Sequence, residues 1–173
     1  MGLIPWFHAF GFLTMVSMTC TTKAVMVVLP KFEEGLFLSC IENYKITFMF
    51  LVPPLMVFLA KHPMVDNYDL SSVREIICGA APLSKEIEDA VKIRLKKKDI
   101  YIRQGYGMSE LTLAVTLQKN VFKPGSVGDL NTGCYAKVID EVGNSLEANK
   151  PGELCFKGSQ VMKGYIGNDE ATK

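Results

Sequence analysis

The sequence predicts an α/β fold: a doubly wound, mostly parallel sheet followed by a small antiparallel, barrel-like β subdomain. Three observations predict it, namely four apolar runs of β type, helix-length segments between them, and short runs punctuated by Gly and Pro after about residue 121. We therefore expect residues 1–120 to form part of an α/β unit and residues 121–173 to form a truncated, β-rich subdomain.

The four predicted strands cover residues 25–29, 46–52, 74–78 and 100–103. Their first residues are 21, 28 and 26 positions apart, which leaves room for one crossover helix between each pair. The runs are almost continuously apolar rather than alternating, as is typical of strands that helices cover on both faces.

The segments between these runs predict three helices. Pro53 and Pro54 suit the first turn of the second helix, where backbone N–H groups lack internal partners. Ser84 is the predicted N-cap of the third helix, and the three lysines at 96–98 are interpreted as its solvated C-terminal end rather than a nucleic-acid site. The predicted apolar faces are Phe32, Leu36, Cys40, Ile41 and Tyr44 on the first helix, and Ile87, Ala90, Val91 and Leu95 on the third.

The composition is that of a globular domain, with 49% hydrophobic and 21% charged residues and a formal net charge of +1. It excludes a disordered tail, and it gives no electrostatic reason to expect nucleic acid as a partner. The five cysteines are widely spaced and form no CxxC pair, which predicts reduced thiols in an intracellular protein.

The longest stretch without a charged residue, residues 1–22, is long enough to span a bilayer. It contains Pro5, His8, Gly11 and five Ser or Thr residues, which make it too polar for a typical transmembrane segment. We interpret it as buried structure and expect no transmembrane segment.

Two strands run into loops of small residues, and ligands bind at the carboxyl ends of strands in open parallel sheets. The first loop holds Gly79, Ala80 and Ala81, and the second is residues 104–110. In the second, Tyr106 can present its ring to a base, Ser109 can donate to a phosphate, and Glu110 can hold Mg²⁺. The alternative is two ordinary βα turns that contain small residues.

His8 lies in an aromatic, nearly uncharged setting. A lone histidine there is compatible with a hydrogen-bonded core residue, and the glycine three positions later indicates a loop in which functional histidines also occur.

Six strings in this order resemble the adenylate-forming superfamily of 4-coumarate–CoA ligases, acyl-CoA synthetases and beetle luciferases. They are PWFHAFGF, ICGAAPLSKEI, RQGYGMSELT, PGSVGDL, PGELCFKG and MKGYIGNDEAT. The resemblance implies an intracellular enzyme, peroxisomal or cytoplasmic, that activates a carboxylic acid with ATP and Mg²⁺ as acyl-AMP and transfers the acyl group to CoA.

The resemblance also implies roles for individual residues. His8 would lie near the reacting carboxylate, Ser109 would contact the α-phosphate, and Glu110 would bind the magnesium ion. The acid pocket would include His8, Phe10, Gly79, Ala80 and Leu113. The nucleotide site would include Gly79, Ala80, Ala81, Gln104, Gly105, Tyr106, Gly107 and Ser109.

Ala80 and Leu113 depart from the beetle luciferases, which favours a CoA ligase over a luciferase-like monooxygenase. The family's phosphate loop is expected before residue 1, and its ribose-binding Asp and lid Lys after residue 173. The chain is therefore expected to be the middle third of an enzyme and inactive alone. The alternative is a truncated, non-catalytic product that binds a nucleotide or a partner protein.

Overall fold

A computed structural model describes residues 1–96, 99–119, 123 and 125–172. Lys97 and Lys98 of the lysine run, Val121 at the predicted subdomain boundary, and Pro124 of the predicted turn lie outside the described residues.

The main sheet has five strands in the order β1-β2-β3-β4-β5. They are β1 (Phe48–Leu51), β2 (Glu75–Cys78), β3 (Tyr101–Met108), β4 (Leu113–Leu117) and β5 (Asp129–Leu130). The pairs β1·β2 and β2·β3 are parallel, whereas β3·β4 and β4·β5 are antiparallel. The prediction of a mostly parallel α/β sheet is confirmed for β1, β2 and β3, which arise from the apolar runs 46–52, 74–78 and 100–103.

The first predicted strand, residues 25–29, forms one parallel bridge between Val28 and Gly2 rather than a strand. Two hydrogen bonds support this bridge. The Gly2 N–H donates to the Val27 carbonyl at 2.8 Å, and the Leu29 N–H donates to the Gly2 carbonyl at 2.9 Å. Val25 is 92% exposed. The run has the composition of a strand, but it pairs with a single residue.

Residues 104–110, predicted to form a loop, are mostly strand, because β3 continues to Met108 and pairs with β4. The register shifts between Tyr106 and Gly107, which marks a β-bulge. The small residues that indicated a turn therefore allow close packing of two antiparallel strands, and the turn follows as the 3₁₀ segment Ser109–Leu111.

The predicted crossover helices are present as α2 (Glu34–Asn43), α3 (Pro53–Lys61) and α4 (Lys85–Arg94). Proline occupies the first turn of α3, and the Ser84 side chain accepts a hydrogen bond from the Ile87 N–H at 3.5 Å, as predicted. The apolar face predicted for α2 is wrong in part. Its buried residues are Phe37, Leu38, Cys40 and Ile41, whereas Phe32, Leu36 and Tyr44 are exposed.

The N-terminal uncharged stretch forms a π-helical segment, Phe10–Val16, that continues into α1 (Ser17–Thr22). None of the helices in the described part of the chain combines the length and apolarity needed to cross a membrane.

Two clusters of buried side chains make up the core. The larger one joins α2, α3 and α4 to the sheet, with Phe37, Ile76 and Val91 fully buried. The smaller one contains Ile4, Phe10, Met15 and Phe50 and lies beside the N-terminal segment.

The C-terminal part is antiparallel β structure, as predicted. Strands β6 (Tyr135–Ile139) and β7 (Glu153–Lys157) form a two-stranded sheet of their own, and a short helix, α5 (Asp169–Thr172), follows. The boundary near residue 120 stays a prediction.

All five cysteines are free, and Cys40 and Cys78 are buried. Burial, with a smaller effect of the nearby Glu88 charge, raises the pKa of the Cys78 thiol to about 12.

Candidate nucleotide and acid site

The loop after β2 places Gly79 against the ring of Phe10. The Gly79 N–H donates to the Leu51 carbonyl at 3.2 Å, which continues the pairing of β2 with β1. A Cβ atom at Gly79 would lie 3.4 Å from Phe10 Cζ, so the glycine lets the ring approach the backbone. Ala80 follows in the left-handed region with φ of +71°, and the loop turns away from the sheet.

Phe10 connects this loop to the N-terminal segment. Its ring packs edge-on against Phe50 at a centroid distance of 5.7 Å, and Leu113 packs against the same cluster. The structure thus brings together three of the residues predicted for the acid pocket, Phe10, Gly79 and Leu113.

His8 is exposed at the start of the π-helical segment. Its Nδ1 accepts a hydrogen bond from the Phe10 N–H at 3.1 Å. A ring nitrogen that accepts carries no proton, so in the neutral imidazole the proton is on Nε2. The arrangement fixes the ring relative to Phe10 and gives Nε2 the character of a donor.

The glycines of β3 allow β4 to approach closely. A Cβ atom at Gly105 would lie 2.8 Å from the Thr116 carbonyl oxygen, and one at Gly107 would lie 1.7 Å from the Leu113 carbonyl oxygen. Leu113 itself has φ of +102°, an unusual value for a branched side chain. The close approach fixes the strand on which Tyr106 lies.

Gln104 joins the two predicted nucleotide-binding segments. Its side chain is 5% exposed, and its Oε1 accepts from the Leu83 N–H, in the loop after β2, at 3.2 Å. Among the described residues, its Nε2 is the one buried side-chain nitrogen or oxygen without a hydrogen-bond partner. A buried amide donor normally has an acceptor, so this nitrogen has capacity for one more polar group.

Tyr106 is half-buried and stacks on Phe156 of β7, with ring centroids 5.9 Å apart and planes 24° apart. Its N–H donates to Thr116 Oγ1 at 3.2 Å. The ring is therefore held between the main sheet and the C-terminal hairpin.

Ser109 and Glu110 lie in the short 3₁₀ turn between β3 and β4. Glu110 Oε1 accepts a hydrogen bond from the Tyr165 hydroxyl at 2.8 Å. The hydrogen bond from its own backbone N–H, with that from Tyr165, lowers the pKa of the Glu110 carboxyl, and the carboxylate raises the pKa of Tyr165. Glu110 is thus ionised at neutral pH.

A family model described as "AMP-binding enzyme" matches residues 1–166. The chain belongs to the AMP-binding enzyme family. This family member is 43% identical over 173 residues to a probable 4-coumarate–CoA ligase 3 of Dictyostelium discoideum, a match that covers 99% of the chain and 31% of that relative. The chain therefore spans about a third of the length of this relative.

Solved structures that resemble this AMP-binding chain include a CoA ligase and a luciferase. A long-chain-fatty-acid–CoA ligase from Archaeoglobus fulgidus superposes with a TM-score of 0.89 at 25% identity, over 99% of this chain and 36% of that one. A red-emitting luciferase from Phrixothrix hirtus superposes with a TM-score of 0.79 at 40% identity, over 99% and 38%.

The predicted site residues fall into two adjoining groups in this AMP-binding chain. One comprises Phe10, Gly79 and Leu113, with His8 fixed to Phe10 by its hydrogen bond. The other is the continuous segment from Gln104 to Glu110. Leu113 lies three positions after Glu110 and connects them. Ala80 and Ala81, also predicted, are exposed in the first loop.

Sequence reasoning missed several residues that hold these groups in place. Tyr165 holds Glu110, Phe156 stacks on Tyr106, and the buried Gln118 accepts from the Gln104 N–H through its Oε1 at 3.0 Å. The strings around Tyr165 and Phe156 contributed to the resemblance, but their contacts lie about 50 residues away in sequence. Nothing in the sequence around Gln118 indicates its role.

A cavity of about 510 Å³ lies elsewhere, along the N-terminal segment and β1, and includes none of the predicted site residues. Within the described residues, no three His, Cys, Asp or Glu side chains cluster as a metal site. A magnesium ion bound with a nucleotide needs only one or two carboxylates, because phosphates and water supply the other oxygens. The ionised Glu110 fits a magnesium–nucleotide complex of this kind.

Proposed function

We propose that the chain is a segment of an AMP-forming acid–CoA ligase that activates a carboxylic acid as acyl-AMP and transfers the acyl group to CoA. The observation that carries the proposal is the glycine-rich segment from Gln104 to Glu110, which packs against β4 and ends in an ionised carboxylate held by the Tyr165 hydroxyl. The family membership and the 4-coumarate–CoA ligase relative support the same reaction.

In this proposal the segment from Gln104 to Ser109 binds the nucleotide. Gly105 and Gly107 hold the backbone flat against β4, Tyr106 lies beside the adenine, and the exposed Ser109 hydroxyl donates to the α-phosphate. Gly79, Ala80 and Ala81 line the opposite side, since the Gln104–Leu83 hydrogen bond fixes that loop relative to β3.

Glu110 would hold the magnesium ion, which would supply positive charge to neutralise the charge that develops on the α-phosphate. A carboxylate oxygen of the acid attacks the α-phosphorus, the bond to the β-phosphate breaks, and pyrophosphate leaves. The CoA thiol then gives its proton to water, its sulfur forms a bond to the acyl carbon, and the bond from that carbon to the AMP phosphate oxygen breaks. The protein residues orient the two anions and stabilise the charge of the transition state.

The acid occupies the pocket formed by His8, Phe10, Gly79, Ala80 and Leu113. The Nε2 proton of His8 is available to the carboxylate, because Nδ1 is engaged by the Phe10 N–H. The apolar wall of Phe10 and Leu113 suits an aromatic or aliphatic acid. We place the enzyme in the cytoplasm or the peroxisome.

The proposal is tested by ATP–pyrophosphate exchange in the intact protein that carries this chain, with a panel of aromatic and fatty acids. We expect acid-dependent exchange that requires Mg²⁺ and is lost in Glu110→Gln, a variant of the same size without the charge. CoA should then release AMP, whereas light emission with beetle luciferin and oxygen would support the luciferase-like alternative.

The 173-residue chain alone serves as the matched control. We expect it to show no exchange, because it spans only 31% of the length of its 4-coumarate–CoA ligase relative. Turnover of ATP to AMP by this chain alone would contradict the interpretation that it is a segment of the catalytic unit. Lack of exchange by the intact protein with every acid would contradict the proposed activity.

A further inference from the structure

Three hydrogen bonds join the turn that carries Glu110 to a segment about 50 residues further along the chain. The Tyr165 hydroxyl donates to Glu110 Oε1 at 2.8 Å, and the Met162 N–H donates to the Glu110 carbonyl at 2.8 Å. The Thr112 hydroxyl donates to the Gln160 carbonyl at 2.6 Å. The first of these contacts the carboxylate itself, whereas the other two hold the backbone.

We propose that Tyr165 is a positioning residue for the Glu110 carboxylate. The Tyr165 hydroxyl holds Glu110 Oε1 in the orientation that binds magnesium together with the nucleotide phosphates. The proposal rests on the proposed function, because it assigns Tyr165 a part in the metal site of that reaction.

The geometry distinguishes orienting the Glu110 carboxylate from merely holding the 160–165 segment against the turn. Glu110 lies in a 3₁₀ turn of only three residues, and its side chain is not buried, so packing does not fix its rotamer. A hydrogen bond to a charged group is the strongest restraint available to such a side chain. Tyr165 supplies it from a ring that is 44% exposed, so the phenol can be changed without emptying a core position.

A neutral phenol that donates its proton to Oε1 leaves the negative charge of the carboxylate in place. The metal site therefore keeps its charge and gains a fixed direction. Such pre-organisation lowers the ordering cost when the metal–nucleotide complex binds.

The test measures binding of a fluorescent ATP analogue to the intact protein, in Mg²⁺ and in EDTA, with activity as a separate readout. Tyr165→Phe removes one oxygen atom and keeps the ring. We expect its dissociation constant in Mg²⁺ to rise by about 3- to 10-fold, the effect of losing one hydrogen bond to a partly solvated charge. In EDTA we expect no change, because the carboxylate then has no metal to hold.

Thr112→Val is the matched control. It removes the hydroxyl that anchors the same segment through Gln160 while keeping the β-branched shape, and it does not touch the Glu110 carboxylate. We expect it to bind the analogue as the wild type does under both conditions. Thermal unfolding of each variant shows whether the fold is retained, and if Tyr165→Phe is unstable, all three proteins are compared at a lower temperature at which it is folded.

Equal weakening by Tyr165→Phe and Thr112→Val would show that Tyr165 only anchors the segment, and would overturn the proposal. Equal weakening in Mg²⁺ and EDTA, or no weakening at all, would overturn it as well. If the wild-type protein binds no nucleotide under either condition, the proposed function fails, and the role of Tyr165 fails with it.

Discussion

The carbonyl oxygen of Leu113 lies where the side chain of residue 107 would begin. A Cβ atom at Gly107 would be only 1.7 Å from that oxygen and 2.6 Å from the Ala114 Cα atom, so the contact is with backbone that cannot rotate away. We expect Gly107→Ala to separate β3 from β4 and to lower the free energy of unfolding by at least about 3 kcal/mol. Urea unfolding measures it.

Gly35→Ala is the control for that substitution. Gly35 lies inside α2, where the nearest atom to an added Cβ is the Tyr68 hydroxyl at 3.7 Å. Alanine favours the helix over glycine, so this variant should be up to about 1 kcal/mol more stable than the wild type. A Gly107→Ala protein as stable as Gly35→Ala would contradict the close approach of the two strands.

Gly79→Ala should change the acid site without disturbing the fold. The added Cβ would lie 3.4 Å from Phe10 Cζ, at the inner edge of ordinary van der Waals contact. If the acid lies between these groups, we expect the KM for a bulky acid to rise about tenfold, as a single methyl group can produce in an apolar pocket.

The measurement is steady-state kinetics of the intact protein with a large and a small acid. The small acid should be affected less, and the KM for ATP should rise less than the KM for the bulky acid, because the added Cβ contacts Phe10. An equal rise for both acids and for ATP would show that Gly79 does not line the acid pocket.

The part of the fold that could be predicted from the sequence is the part that local pattern specifies. Residues 46–52, 74–78 and 100–103 are apolar runs at crossover spacing; β1 and β2 form within the first two, and β3 begins in the third and continues to Met108. Residues 25–29 have the same composition, but a strand needs a partner along its length, and here it pairs with one residue, Gly2. Whether a partner strand is present is not encoded in the run itself.

The site shows the same division between local pattern and tertiary contact. The segment from Gln104 to Glu110 was recognisable from its residues, but Gly105 and Gly107 suggested a loop because glycine is rare in strands. Glycine is required at these two positions because the backbone of β4 approaches them too closely for a Cβ atom. The contact of Glu110 with Tyr165 joins residues 55 positions apart, and no spacing rule predicts a hydrogen bond at that separation.

Gln118 should contribute strongly to stability through its buried side chain. Besides accepting from the Gln104 N–H, its Nε2 donates to the Lys123 and Ser126 carbonyls, both at 2.9 Å. Gln118→Met keeps the volume and leaves the Gln104 N–H and the Ser126 carbonyl without partners, whereas the Lys123 carbonyl keeps the Ser126 N–H at 3.0 Å. We expect a loss of about 3 kcal/mol in the free energy of unfolding.

Urea unfolding again measures the loss, and amide hydrogen exchange locates it. Exchange at Gln104 should accelerate more than exchange at Ile76, in the centre of the neighbouring strand. Gln118→Glu, which keeps the acceptor but replaces the donor, should protect the Gln104 amide better than Gln118→Met does. A loss below about 1 kcal/mol in Gln118→Met would show that water replaces these hydrogen bonds.

Asp140 makes the turn after β6 sensitive to acid. Its Oδ1 accepts from the Asn144 N–H at 2.8 Å and from the Val142 N–H at 3.0 Å. These hydrogen bonds, with Asn144 contributing most, lower the pKa of the carboxyl below its ordinary value. A carboxyl whose pKa is lower in the folded than in the unfolded state stabilises the fold above the unfolded pKa. That contribution is lost as the pH falls through the lower, folded value.

The matched variant is Asp140→Asn, which keeps an oxygen at the same position but cannot titrate. We expect the wild type to be more stable than this variant at neutral pH, and the difference to be unchanged down to about pH 5, where a free aspartate begins to take up its proton. Below that pH the difference should shrink, and the Val142 and Asn144 amides of the wild type should lose protection from hydrogen exchange together. A difference in stability that persists in strong acid would show that the charge of Asp140 does not stabilise the turn.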